Sequence, residues 1–91
     1  MAWAWDPRKD AANQTKHGVS FALAKLVFDD PLCLSQLDPW PDEERWQTLG
    51  LVGSACLFVV HTIWEGDEPG GRIISARRAT PRERKWYEEG N

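Results

Sequence analysis

Apolar side chains recur along this chain at two spacings, and the spacings divide it into elements. Trp3-Ala4-Trp5 alternates large and small, which predicts a short strand. Asp6-Pro7 reads as an N-cap followed by proline at the first helical position. The helix it opens runs from Pro7 to about Thr15 and is rich in Ala, Lys, Arg and Gln. Lys16 and His17 fall at its end, where cations suit the dipole, and Gly18 is placed for a left-handed cap. Ser20 opens a second helix that extends to about Phe28. On it Phe21, Leu23, Ala24, Val27 and Phe28 recur every three or four residues and form one apolar face. Asp29-Asp30-Pro31 stops it.

The spacing then turns to two. Leu32 to Leu37 alternates weakly, and Asp38-Pro39-Trp40-Pro41-Asp42 is a loop, because its prolines cannot feed a sheet ladder. Arg45 to Leu51 and Ala55 to Trp64 are expected strands, joined as a hairpin near Val52-Gly53-Ser54. Glu65 to Gly71 reads as an acidic, glycine-rich turn, and Arg72 to Arg77 as a last strand. Thr80-Pro81-Arg82-Glu83 combines N-cap, proline and a Glu three residues on, the signature of a capping box. The helix behind it carries Trp86 and Tyr87 and ends near Gly90. The order predicts a single α+β domain over residues 1–91. Its mostly antiparallel sheet of about four strands carries two N-terminal helices and one C-terminal helix, packed on one side.

Composition narrows the class. A chain of 91 residues with 42% hydrophobic and 27% charged side chains is ordinary for one globular domain and leaves little room for a second core. No apolar run reaches the roughly 20 residues of a membrane helix. The N-terminus shows no basic stretch leading into an apolar one, so the expectation is a small cytosolic domain. Two cysteines, Cys33 and Cys56, lack both a CxxC spacing and a nearby histidine. They read as buried free thiols, with no metal site. The net charge of -3 hides an asymmetry. Residues before Arg72 hold 5 basic and 11 acidic side chains, and those from Arg72 onward hold 6 and 3. A basic C-terminal segment suits phosphate, although on charge alone a solvated charged helix is the simpler reading. Six tryptophans exceed what so small a core needs, and an exposed aromatic patch marks a partner site.

Two long joint patterns go further. Trp5-Asp6-Pro7, Lys9, Asn13 and Lys16-His17-Gly18-Val19-Ser20-Phe21 are followed by Ala24, Val27-Phe28-Asp29-Asp30-Pro31 and Gly71-Arg72-Ile73-Ile74-Ser75-Ala76-Arg77-Arg78-Ala79-Thr80. Together they resemble the BrnT family of toxins, over nearly the whole chain. The resemblance implies a RelE-like fold, a twisted antiparallel sheet with helices packed against it. It implies a ribonuclease of a type II toxin–antitoxin system, which blocks translation by cleaving RNA without cofactor. It also implies a ribbon-helix-helix antitoxin, BrnA, through which alone the chain would reach DNA. Family members often carry Thr-Glu-Arg after the strand that here ends in His61. This chain has Thr62-Ile63-Trp64, with Glu65 one place later, so a charged pair is absent there. The competing expectation is a non-catalytic module that acts as corepressor with the antitoxin.

Metal-free RNA cleavage needs an acid, a base and fixed cations for the extra phosphate charge. Arg72, Arg77 and Arg78 are the candidates for phosphate, since a guanidinium grips two oxygens and stays charged. In a regular strand Arg72 and Arg77 face opposite sides unless a bulge intervenes. The structural alternative for them is salt bridges to Asp6, Asp29 or Asp30. His17 is a candidate acid or base, or simply a helix C-cap. His61 is a candidate for RNA contact and for pairing with His17, or a satisfied half-buried histidine. Lys9 and Lys16, two helical turns apart, offer a basic strip. Tyr87 offers a base-stacking ring, or an anchor of the last helix to the sheet.

Overall fold

A computed structural model describes residues 2–90. The elements are β1 (Ala2–Ala4), α1 (Pro7–His17), α2 (Phe21–Ala24), a 3-10 turn (Lys25–Asp29), β2 (Leu34–Leu37), β3 (Trp46–Val52), β4 (Ala55–His61), β5 (Gly70–Arg78) and α3 (Pro81–Glu89). Local chemistry sets most of the boundaries. The Asp6 carboxylate accepts from the Arg8 amide at 2.8 Å, and Gly18 closes α1 at φ 70°. Ser20 caps α2 through the Leu23 amide. Thr80 and Glu83 form the expected capping box on α3. Gly53, at φ 60°, opens the two-residue turn between β3 and β4.

The second helix is shorter than its apolar spacing predicts. It winds as α only to Ala24 and then tightens into the 3-10 turn, which the Asp30 amide closes onto the Val27 carbonyl. The tightened turn seats Val27 on Gly50, where an added Cβ would lie 2.7 Å from a Val27 methyl.

Five strands, not about four, form the sheet, in the order β1-β5-β4-β3-β2. β1, the short strand predicted around Trp3–Trp5, forms one edge parallel to β5, while the other pairs are antiparallel. Gly70 and Gly71, expected in a turn, begin β5 instead. Any Cβ at Gly70 would sit 1.6 Å from the Ala2 carbonyl, so only glycine lets β1 approach. Further along, α1 takes over the β5 edge. The Asn13 side chain donates to the Ala76 carbonyl at 2.7 Å and accepts from the Ala76 amide at 3.1 Å, as a neighbouring strand would.

The helices cover both faces of the sheet rather than one. Leu57 and Val59 of β4 pack with Val19, Phe21, Ala24 and Val27, whereas Cys56 and the half-buried Phe58 pack with Leu49 and with Tyr87 of α3. Alternation along the strand puts these two sets on opposite sides. Among the described residues no helix is long and apolar enough to cross a membrane.

Candidate functional site

Register decides which side chains of β5 share a face. Val59 pairs with Ala76 and Val60 with Ser75, but His61 pairs with Ile73, so Ile74 is an extra residue in a β-bulge. Ala76 and Ile73 therefore both point to the face packed by α1 and α2. Arg72, Ser75 and Arg77 all point to the other face. Without the bulge the two arginines would be on opposite sides. Arg78, paired with Leu57, turns to the first face and is exposed at the strand end, so it stands apart from this pair.

On the shared face each arginine holds a carboxylate, and neither partner is Asp6, Asp29 or Asp30. Arg72 donates to Glu43 Oε1 at 2.6 Å. The same oxygen accepts from Arg45 Nε at 3.0 Å, and Arg45 with Arg72 holds the Glu43 carboxyl below its ordinary value. Arg77 grips Glu83 with both arms of its fork, at 2.7 and 3.0 Å, and lies 4.2 Å from the centre of the Phe58 ring. Glu83 Oε1 also accepts from the Thr80 amide, so the capping box and the Arg77 anchor share one atom. Arg77 is the main cause that holds the Glu83 carboxyl below its ordinary value. The two arginines are about 15 Å apart along the strand at the usual rise per residue. They frame the face from its two ends.

Between those ends lies a groove against the β5 edge. Lys9, Lys16 and His17 of α1 line it together with Ile74 and Ser75. Ser75 belongs both to the arginine face and to this groove, so the lysines and His17 adjoin the same surface.

The other two predicted contacts lie inside. His61 is 1% exposed, with Trp3 and Phe28 edge-on to its ring at 5.2 and 4.7 Å between centroids. Its Nδ1 is 2.9 Å from the Thr62 carbonyl, which only accepts, so Nδ1 carries the proton. Its Nε2 then accepts from the Thr48 hydroxyl at 2.6 Å, and Ser35 donates to Thr48 at 2.7 Å. Burial pushes the imidazole pKa down. A neutral, saturated ring in the core presents nothing to RNA. Tyr87 is 5% exposed and donates to Asp30 Oδ2 at 2.6 Å, which holds its hydroxyl pKa up at about 12. It anchors α3 rather than stacking a base. Burial raises the Asp30 carboxyl, but hydrogen bonds from the Leu51 amide, Tyr87 and the Leu32 amide leave it below its ordinary value.

Sequence reasoning missed Glu43, Glu83 and Arg45 as neighbours of the arginines, and Trp40 against Arg45. The acidic run Asp42-Glu43-Glu44 beside the turn was the available signal for the first, and the N3 position of the capping box for the second. Cys56 is buried and Cys33 half-buried, both as free thiols. Among the described residues no group of three or more His, Cys, Asp or Glu side chains gathers as a metal ion needs.

Residues 5–83 match the family described as the ribonuclease toxin BrnT of type II toxin-antitoxin systems. Among solved structures, the chain is similar to the ribonuclease toxin BrnT of Brucella abortus, with a TM-score of 0.61 and 23% identity. That similarity covers 88% of this chain and 99% of the other. No curated protein matches.

Proposed function

Because the chain belongs to the BrnT family of type II ribonuclease toxins, we propose that it cleaves RNA without a metal, across the sheet face that carries Arg72 and Arg77. The bulge at Ile74 carries this reading, since it alone brings both guanidiniums to one side. An RNA strand lying along β5 meets Arg72 and Arg77 at two different phosphates, given their separation. His17, Lys9 and Lys16 adjoin the stretch between them. In this reading the 2′-hydroxyl attacks the adjacent phosphorus as the bond from phosphorus to the 5′-oxygen breaks, an arginine stabilises the added charge, and His17 takes the 2′-hydroxyl proton or gives one to the leaving 5′-oxygen, with water making the other transfer. Glu43 and Glu83 hold the arginines in place until phosphate oxygens share or replace them. Loss of RNA then stops translation in the cytoplasm.

The type II family implies an antitoxin. We take it to be a BrnA-like ribbon-helix-helix protein whose acidic or hydrogen-bonding segment covers the arginine face. The same charges that attract RNA attract such a segment. A complex with Arg72, Arg77 and Arg78 all left in solvent would count against this.

One observation favours the corepressor reading. Ile63 and Trp64, where relatives often carry charge, are 45% and 39% exposed and present apolar surface instead. Inducing the chain alone in growing bacteria separates the two. Growth arrest with loss of mRNA supports the nuclease, and normal growth with intact protein supports the corepressor.

A further inference from the structure

The loop between β2 and β3 holds a group that the proposed chemistry leaves unused. Trp40 is 47% exposed at its tip, although a free indole gains from burial. The loop around it is tied down. The Trp40 amide donates to Asp38 Oδ1 at 2.9 Å, the Asp38 amide donates to the Arg45 carbonyl at 2.8 Å, and Gln47 donates to Asp38 Oδ2 at 2.7 Å. The Arg45 guanidinium lies 4.8 Å from the centre of the indole. The Arg45 side chain is only 21% exposed while Trp40 is 47% exposed, so the cation takes one face of the ring and the rest of the indole is left to solvent.

This ring is coupled to the arginine face. Arg45 and Arg72 donate to the same oxygen of Glu43. Trp40, Arg45, Glu43 and Arg72 thus form one chain of contacts leading from an open aromatic surface to a phosphate-binding candidate. A single-stranded nucleic acid needs both features together, a cation for the backbone and a flat ring for the base. The surface is also held in advance, so little ordering entropy is lost on binding.

We propose that the solvent-exposed surface of Trp40 is a base-stacking subsite for single-stranded RNA, seating a nucleobase beside the phosphate held by Arg72. This rests on the nuclease reading above. Stacking is blind to hydrogen-bond pattern, so the subsite takes any base and prefers purines for their larger ring area.

The test uses the purified full chain and fluorescent oligoribonucleotides with a 2′-deoxy sugar at the cleaved position, so that they bind uncut. Trp40→Ala is expected to weaken binding on the order of 10-fold, and Trp40→Phe to retain most of it. Removing the base at each nucleotide in turn should find one position where the parent loses a similar factor and Trp40→Ala loses nothing further. A ring that merely shields the Arg45–Glu43 pair gives a different result, with every base removal costing the variant what it costs the parent. That result, or parental affinity in Trp40→Ala, overturns the subsite. So does a variant that keeps RNA affinity and loses antitoxin affinity instead. If the parent leaves RNA uncut and Arg72→Ala and Arg77→Ala bind it unchanged, the nuclease reading itself fails. If cleavage depends on the arginines and Trp40 is silent, only the subsite fails.

Discussion

The two faces of this sheet are built from the same strands and treat polar groups in opposite ways. On the face covered by α1 and α2, Thr48 and His61 are buried and linked in one hydrogen-bonded row with Ser35. Every buried side-chain donor and acceptor among the described residues is matched. On the other face Arg72 and Arg77 are 43% and 34% exposed and hold their carboxylates at the water boundary. Matched polar groups in low dielectric are costly to disturb, so the first face is fixed. The Arg72 pair, at the water boundary, is worth little and exchanges partners readily, while the bidentate grip of Glu83 holds Arg77 in place with its guanidinium partly in solvent, so the second face keeps cations within reach of a ligand. A histidine is the residue most often suspected of acid–base work, yet here burial removes one of the two from that role. The less conspicuous bulge brings Arg72 and Arg77 to the one face proposed to take RNA.

Breaking the packed face should have the largest effect. Phe21 is fully buried and edge-on to Trp5. Phe21→Ala is expected to cost about 3–5 kcal/mol, from lost burial and the cavity left behind. Urea denaturation monitored by circular dichroism reads this directly, and a parental midpoint would show the core lies elsewhere.

On the open face the loss should fall on activity instead. Arg77→Ala should lower RNA cleavage by roughly 10²-fold, because a fixed cation for transition-state charge is gone. Arg72→Ala should reduce cleavage as well and leave the melting temperature near the parent's, since its ion pair is solvent-exposed. His17→Ala should cut activity most near neutral pH if it moves a proton. Variants that lose stability while each folded molecule cleaves normally would erase the contrast between the faces.

Thr80→Ala sharpens it at a smaller scale. The helix start loses the oxygen that accepts from the Glu83 amide, at a cost of about 1 kcal/mol. Cleavage should fall too, because Glu83 is the anchor of Arg77. A stability loss with full activity would separate the capping box from the site.

The smallest effect is expected from pH alone. Burial depresses the His61 pKa in the fold, so the unfolded chain binds its proton more readily. The stability this group contributes is therefore whole above the unfolded value of about 6.5 and is lost as pH falls through the folded one. Denaturation midpoints followed downward from pH 7 should decline less steeply in His61→Gln than in the parent. Equal slopes would mean that the ring takes up its proton while still folded.

Some of this was legible in the chain itself. Asp6-Pro7, Gly18, Ser20 and the Thr80–Glu83 box announced three helices, and Gly53 a hairpin, because caps and tight turns are settled by groups within a few residues of one another. The α+β class followed from their order. The arginines were legible as candidates by their chemistry, and so were Lys9, Lys16 and His17. Which way they pointed was not. Whether Arg72 joins Arg77 depends on a bulge, and a bulge exists only as a mismatch between β5 and the strand it pairs with. The burial of His61 and Tyr87 was likewise undecided until α2, the 3-10 turn and α3 had closed over the sheet. Gly70 and Gly71 looked like a turn because glycine is suited to turns, and only the arrival of β1 reveals the close approach they permit. Local bonding is written in adjacent residues, whereas facing, burial and partnership arise between segments that the sequence keeps far apart.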